Sequence, residues 1–177
     1  ERFFRNLWTQ QMNLRPIPAH FTRSYSPHSK WYIPLPDISL PDHHLSVSHD
    51  SILQPEDRMV ILGARLAFED AGYTVANSGG CLKVERLEGG SAILGTGLSG
   101  MQTVFESHLC HCLPPSVLQA VFPERRLVYN RMVVPKTMPN SPAAWVSIAF
   151  GLTGPCHTMN ASCASGTFAI GEAFRRV

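Results

Sequence analysis

Charge is scarce in this chain: Asp, Glu, Lys and Arg make up 16% of its 177 residues, and the formal net charge is only +2. With no long basic run, nothing points to nucleic acid. Long apolar runs are missing too, the longest falling far below the ~20 residues a membrane-spanning helix needs. No charged segment followed by an apolar one opens the sequence, so these residues hold no secretory signal. Paired cysteines are also lacking. Five cysteines without framework spacing argue against a disulfide scaffold and for free thiols in a reducing, cytoplasmic compartment. No internal repeat stands out. What is present is 44% hydrophobic residues, which argues against a disordered chain and predicts about one domain with a real core. Glu1 rather than Met opens the chain, and Val177 falls inside a helical pattern with no stop signal, so a piece of a longer protein is expected.

Phe3, Phe4, Leu7 and Trp8 have helical spacing near the start. Residues 16–55 carry seven prolines and five histidines with little periodicity, which reads as a long irregular surface excursion. Pro55, Glu56 and Asp57 mark a helix start, Met59, Leu62 and Leu66 its apolar stripe, and Gly72 its left-handed stop. Ser91 to Leu94 reads as a short buried strand, left through the glycine-rich turn Gly95-Thr96-Gly97-Leu98-Ser99-Gly100. Residues 101–111 read as a helix, and Leu113-Pro114-Pro115 as a loop. Ser141 is suited to cap a helix with Pro142 at its first position, ending before Gly151. A strand over 156–162 and a helix from about Ala164 follow, with Ile170, Phe174 and Val177 on one helix face. Strands alternating with helices predict an α/β fold.

Gly154 to Gly166 is the most informative stretch, because its strand runs into Cys163 and small residues then open a helix. There the unpaired N–H groups and positive dipole end of a helix converge, a field that favours thiolate, the nucleophilic form of cysteine. From the cysteine alone, a buried thiol packed among small residues is an equally good reading. Gly95 to Gly100 matches a GxGxxG pattern after a strand, but the second strand with a ribose-binding acid about 20 residues on is missing. Those glycines suit a sharp backbone turn beside a pocket better. His108, Cys110, His111 and Cys112 crowd like metal ligands, yet no second ligand pair stands at zinc-site spacing, so no metal is expected. His43, His44 and His49 lie in the polar excursion and read as solvated. His157 shares the face of Cys163 but sits about 20 Å back along a strand, a poor place for its base.

Two blocks together resemble the β-ketoacyl-acyl-carrier-protein synthases, most closely the condensing enzymes of bacterial type II fatty-acid synthesis. One is the run from Met138 to Pro155; the other is Asn160-Ala161-Ser162-Cys163-Ala164-Ser165-Gly166. Ala67 to Tyr73 and the strand leading to Gly95-Thr96-Gly97 follow in the same order. The resemblance implies a thiolase-like, layered αβαβα fold of which residues 1–177 are most of the N-terminal half, lacking the opening strand and with the nucleophile region at 138–177. It implies a homodimer acting on acyl and malonyl thioesters of acyl carrier protein, in the cytoplasm, without a cofactor. Cys163 matches the acyl-accepting nucleophile, whose backbone N–H serves as one oxyanion donor. Leu98 matches a position lining the acyl pocket, Val133 one reaching the partner subunit's pocket, and residues 156–160 the strand paired across the dimer axis.

The family's two catalytic histidines, its supporting lysine and the second oxyanion N–H belong to the other half, so these residues alone are not expected to complete a condensation. Residues 46–53, often basic in bacterial members, here read Ser46-Val47-Ser48-His49-Asp50-Ser51-Ile52-Leu53. A thiolase, a polyketide-type ketosynthase and a non-catalytic partner subunit are the rival readings. Phe150 to Pro155 suits a synthase better than a thiolase, and the retained Cys163 argues against a degenerate partner.

Overall fold

A computed structural model describes residues 5, 9, 14–17, 26, 28–34, 38–41, 45, 47, 49–78, 81–85, 87, 89–124 and 126–177, with the backbone alone at Ser78 and Cys81. The helical spacing at Phe3, Phe4, Leu7 and Trp8 lies outside the described residues, as do His43 and His44. Residues 1–37 and 38–177 form two units. In the first, β1 (Arg15–Pro16) pairs antiparallel with β2 (Trp31–Tyr32), and the Ile17 N–H donates to the Lys30 carbonyl at 3.0 Å.

In the second unit a short 3-10 turn (Asp50–Ile52) leads into α1 (Pro55–Asp70). Then come the antiparallel pair β3 (Val75–Ser78) and β4 (Cys81–Val84), and the strand β5 (Ala92–Gly95). Four helices follow: α2 (Met101–Cys112), α3 (Pro115–Val121), α4 (Val133–Thr137) and α5 (Ser141–Phe150). The chain returns through β6 (Cys156–Met159) into α6 (Ser165–Arg176). β6 lies parallel to β5, with Ala92 opposite Cys156 and Gly95 opposite Met159. Parallel neighbours need a long crossover, and the helices between them supply it.

The core joins α1, α5 and the strands. Ile61, Leu82, Val84, Ala92, Val146, Ala149 and Phe150 are buried together. Leu40, Leu45 and Leu53 are buried with them, so the end of the proline-rich stretch is not on the surface but supplies core. The buried face of α1 also differs from the expected one. Of the expected stripe Leu62 packs partly buried against the core, but Met59 and Leu66 are exposed, whereas Asp57 and Ile61 are buried and Ala64 and Phe68 continue their stripe. Both stripes have helical period; proximity to Phe150, whose ring centroid lies 5.2 Å from that of Phe68, selects the second. Burying Ile61 contributes roughly 2–3 kcal/mol. Met59 instead joins Gly63, Ala67, Ile93, Leu94 and Val146 around an open apolar groove of about 480 Å³.

Boundaries moved for local reasons. Leu113 and Pro114 are the whole break between α2 and α3, because Pro115 begins a new helix where its missing N–H costs nothing. Asn140 rather than Ser141 occupies the N-cap of α5. Gly151, at φ +62°, ends that helix with the Leu152 N–H on the Ser147 carbonyl at 2.9 Å, a Schellman closure. His49 is exposed, but its ring rests 5.8 Å from that of Trp145. The expected face of α6 is not buried on these residues: Ile170 and Phe174 are exposed, as are Phe168 and Val177, which lies just past the helix. No helix among the described residues is long and apolar enough to cross a membrane.

Among the described residues Asp57 is the one buried carboxylate, with no solvent exposure. Its Oδ2 accepts the Gln54 N–H at 2.9 Å and so caps α1, while Oδ1 has no hydrogen-bond partner. Burial raises its pKa to about 6, the Gln54 N–H opposes that, Glu56 adds to it and Lys136 opposes it. The folded state therefore holds this proton more tightly than the unfolded chain, whose Asp titrates near 3.8. The cost of the buried charge is absent below about pH 4 and fully present above about pH 6–7, roughly 3 kcal/mol in all. Asp57→Asn, which keeps an acceptor for Gln54, is expected to gain stability relative to the parent across that window. Urea unfolding at pH 4.5 and 7.5 measures it, and a difference that does not change with pH would contradict the assignment.

Candidate active site

β6 ends at Met159, earlier than the sequence implied, and Cys163 sits in a tight turn between it and α6. The turn is built by its neighbours. Asn160 Oδ1 accepts the Ser162 N–H at 3.3 Å, while its Nδ2 donates to the Gly97 carbonyl at 3.1 Å. Ser165, almost fully buried, accepts the Ala161 N–H at 2.8 Å and donates its hydroxyl to the Ser162 carbonyl at 2.6 Å. The Ser165 N–H reaches the same carbonyl at 3.2 Å. Ser162 is held at φ +50°, the one described non-glycine residue with positive φ. A left-handed residue with a Cβ costs of order 1–3 kcal/mol and persists only where the surroundings over-determine it, as these hydrogen bonds do.

The result is a Cys163 thiol two residues ahead of α6, at the positive end of that helix and exposed on these residues rather than packed among the small side chains around it.

The glycine turn after β5 forms the neighbouring wall. A Cβ on Gly95 would fall on the Ser165 carbonyl and within 2.6 Å of the Gly166 nitrogen, so only glycine lets β5 approach the start of α6 this closely. Gly100, at φ +68°, has no room either, since a Cβ would lie 2.8 Å from the Thr137 Cα. Between them the Thr96 hydroxyl donates to the Leu98 carbonyl at 2.9 Å, and the Leu98 side chain is 73% exposed. The glycines of the GxGxxG pattern thus serve close packing and turning.

The loops that carry Leu98 and Cys163 are tied by the Asn160–Gly97 hydrogen bond. Val133 opens α4, which packs against α2 and α5, and takes no part in the hydrogen bonds joining those loops. His157 lies in mid-strand opposite Ile93. Of the His/Cys run on α2, Cys112 Sγ is 3.5 Å from His108 Nε2 at the surface. Among the described residues no three His, Cys, Asp or Glu side chains converge as metal ligands would. Sequence reasoning passed over Asn160 and Ser165; the spacing of an Asn three before and a Ser two after the cysteine is the signal that carries them.

Cys163 thus stands on a strained strand-to-helix turn of an α/β scaffold. Comparison with known proteins shows the family. The family model for the β-ketoacyl synthase N-terminal domain matches residues 1–177. Nodulation protein E of Rhizobium sp. (strain N33) is 28% identical over 139 residues, covering 78% of this chain and 30% of that protein. The crystal structure of a β-ketoacyl synthase from Burkholderia phymatum has a TM-score of 0.59 at 20% identity, covering 92% of this chain and 36% of the other. The chain belongs to the β-ketoacyl synthase family of condensing enzymes, and its fold is thiolase-like. It spans about a third of the length of both relatives.

Gly95→Ala tests the packing that builds the site. It is expected to destabilise the protein by about 1–3 kcal/mol, as overpacking does, measured by urea unfolding. Unchanged stability would show that β5 and α6 are not seated as described.

Proposed function

We propose that Cys163 is the acyl-accepting nucleophile of a 3-oxoacyl-[acyl-carrier-protein] synthase. The observation that carries this is the exposed thiol on the Ser162 turn, at the start of α6 and beside the Leu98 loop. The thiolate attacks the carbonyl of an acyl thioester, the C–S bond to the carrier breaks, and the carrier sulfur leaves as a thiolate that takes a proton from water. The Cys163 N–H stabilises the oxyanion as one of two donors. Malonyl-carrier protein then loses CO₂, and the carbanion so formed attacks the Cys163 thioester. A carbon–carbon bond forms, the C–S bond breaks, and the 3-oxoacyl product leaves while the thiolate is regenerated.

On this reading the catalytic histidines, the lysine and the second oxyanion donor come from the part of the relatives that this chain does not span. Leu98 limits the acyl pocket from the glycine turn, and Val133 reaches the pocket of a second copy. A homodimer is supported by β6, which among the described residues pairs only with β5 and leaves its other edge unpaired, with Cys156 and His157 exposed. Fatty-acid elongation is the pathway favoured by the resemblance of residues 138–166. A polyketide-type ketosynthase is the second reading, favoured by a relative whose name refers to nodulation rather than to fatty acids.

The experiment is turnover of acyl- and malonyl-carrier protein by the full-length protein. Cys163→Ala is expected to lower 3-oxoacyl formation by about a thousandfold or more, because no other group replaces the nucleophile. Turnover unaffected by that change would overturn the proposal.

A further inference from the structure

The backbone ahead of Cys163 is linked to α1, a hundred residues away in sequence, by hydrogen bonds at either end of the glycine turn and by the turn's own backbone between them. At the start of α1, Glu56 Oε1 accepts the Gly100 N–H at 2.7 Å. Next to it the buried Gln54 donates from Nε2 to the Lys136 carbonyl at 2.8 Å and accepts the Thr103 hydroxyl at 2.6 Å. The N-terminus of α1, the N-terminus of α2 and the C-terminal end of α4 therefore meet at one polar knot inside the fold. Gly100 is the last residue of the glycine turn, and Gly97 in the same turn accepts Asn160, whose other amide atom holds Ser162. The turn bearing Leu98 is thus suspended between two tethers: Glu56 on one side and Asn160 on the other.

We propose that Glu56 is a positioning residue for the nucleophile. Its carboxylate fixes the glycine turn, the turn fixes Asn160, and Asn160 fixes the backbone ahead of Cys163. A carboxylate accepting a backbone N–H at a helix N-terminus is charge-assisted and favoured by the helix dipole, which suits it to fix the end of the turn where Gly100 packs against Lys136 and Thr137. Glu56 touches neither substrate nor thiol. It acts on how well the thiol is placed, the property on which attack at an acyl carbonyl depends most. The inference rests on the reading of Cys163 as an acyl acceptor.

The test compares two reactions at Cys163 in the full-length protein: acylation by octanoyl-coenzyme A, which demands alignment, and alkylation by iodoacetamide, which demands little. Glu56→Ala is expected to slow acylation about tenfold while alkylation changes less than twofold. Glu56→Gln, which keeps an acceptor for the Gly100 N–H, is expected to recover acylation to within about threefold of the parent. Because the tethers act in series, Glu56→Ala combined with Asn160→Ala is expected to be no slower than Asn160→Ala alone. Acylation unchanged in Glu56→Ala, equal losses toward both reagents, failure of Gln to rescue, or losses that multiply in the double variant would each overturn the proposal. A parent protein that iodoacetamide labels but octanoyl-coenzyme A does not would remove the acyl-acceptor reading itself, and the positioning role with it.

Discussion

The site depends on the approach of two backbones where Gly95 meets the Ser165–Gly166 peptide. Everything near Cys163 is referenced to that contact. It seats the first turn of α6 against the end of β5, and it lets buried Ser165 close the loop over Ser162. It also brings the glycine turn within reach of the Asn160 amide. A single added methyl at Gly95 would occupy the space of a peptide group, and no side-chain rotation could relieve it, because the obstacle is backbone on both sides.

That packing sustains the left-handed Ser162. Four hydrogen bonds made by side chains converge on residues 160–162, and the chain uses them to hold a conformation it would not adopt freely. The stabilisation comes from the parallel β5–β6 pair and the α1–α5 core behind it, where Ile61, Leu82, Val146 and Phe150 are buried. The same division explains the surface. The α6 residues facing the core are small, Ser165 and Ala169, whereas Phe168, Ile170 and Phe174 stand outward.

Much of this was legible in the residues. Pro55 with acids after it, Gly72 and Gly151 as left-handed stops, and the Ser141-Pro142 start set α1 and α5 to within a residue or two. Cys163 was legible because small residues after a strand have few uses other than a close helix start. What the sequence hid depends on distant partners. Met59 and Ile61 belong to equally regular stripes, and only Phe150 and Leu82 decide which is buried. Leu40 and Leu45 stand in a proline-rich stretch whose local signals all say surface. Gln54 is an unusual helix cap, so its pairing with Asp57, Lys136 and Thr103 could not be read from spacing. Asn160 lies beside the cysteine, yet its partner Gly97 is sixty-three residues earlier.

The central claim is that, of five cysteines, the fold prepares one for acyl transfer. Mapping the acyl group after brief exposure of the protein to an octanoyl thioester tests it most directly, by peptide mass spectrometry across all five. The account predicts a single octanoyl group on the peptide containing Cys163. An octanoyl group on Cys110, Cys112 or Cys156 with Cys163 unmodified would contradict it.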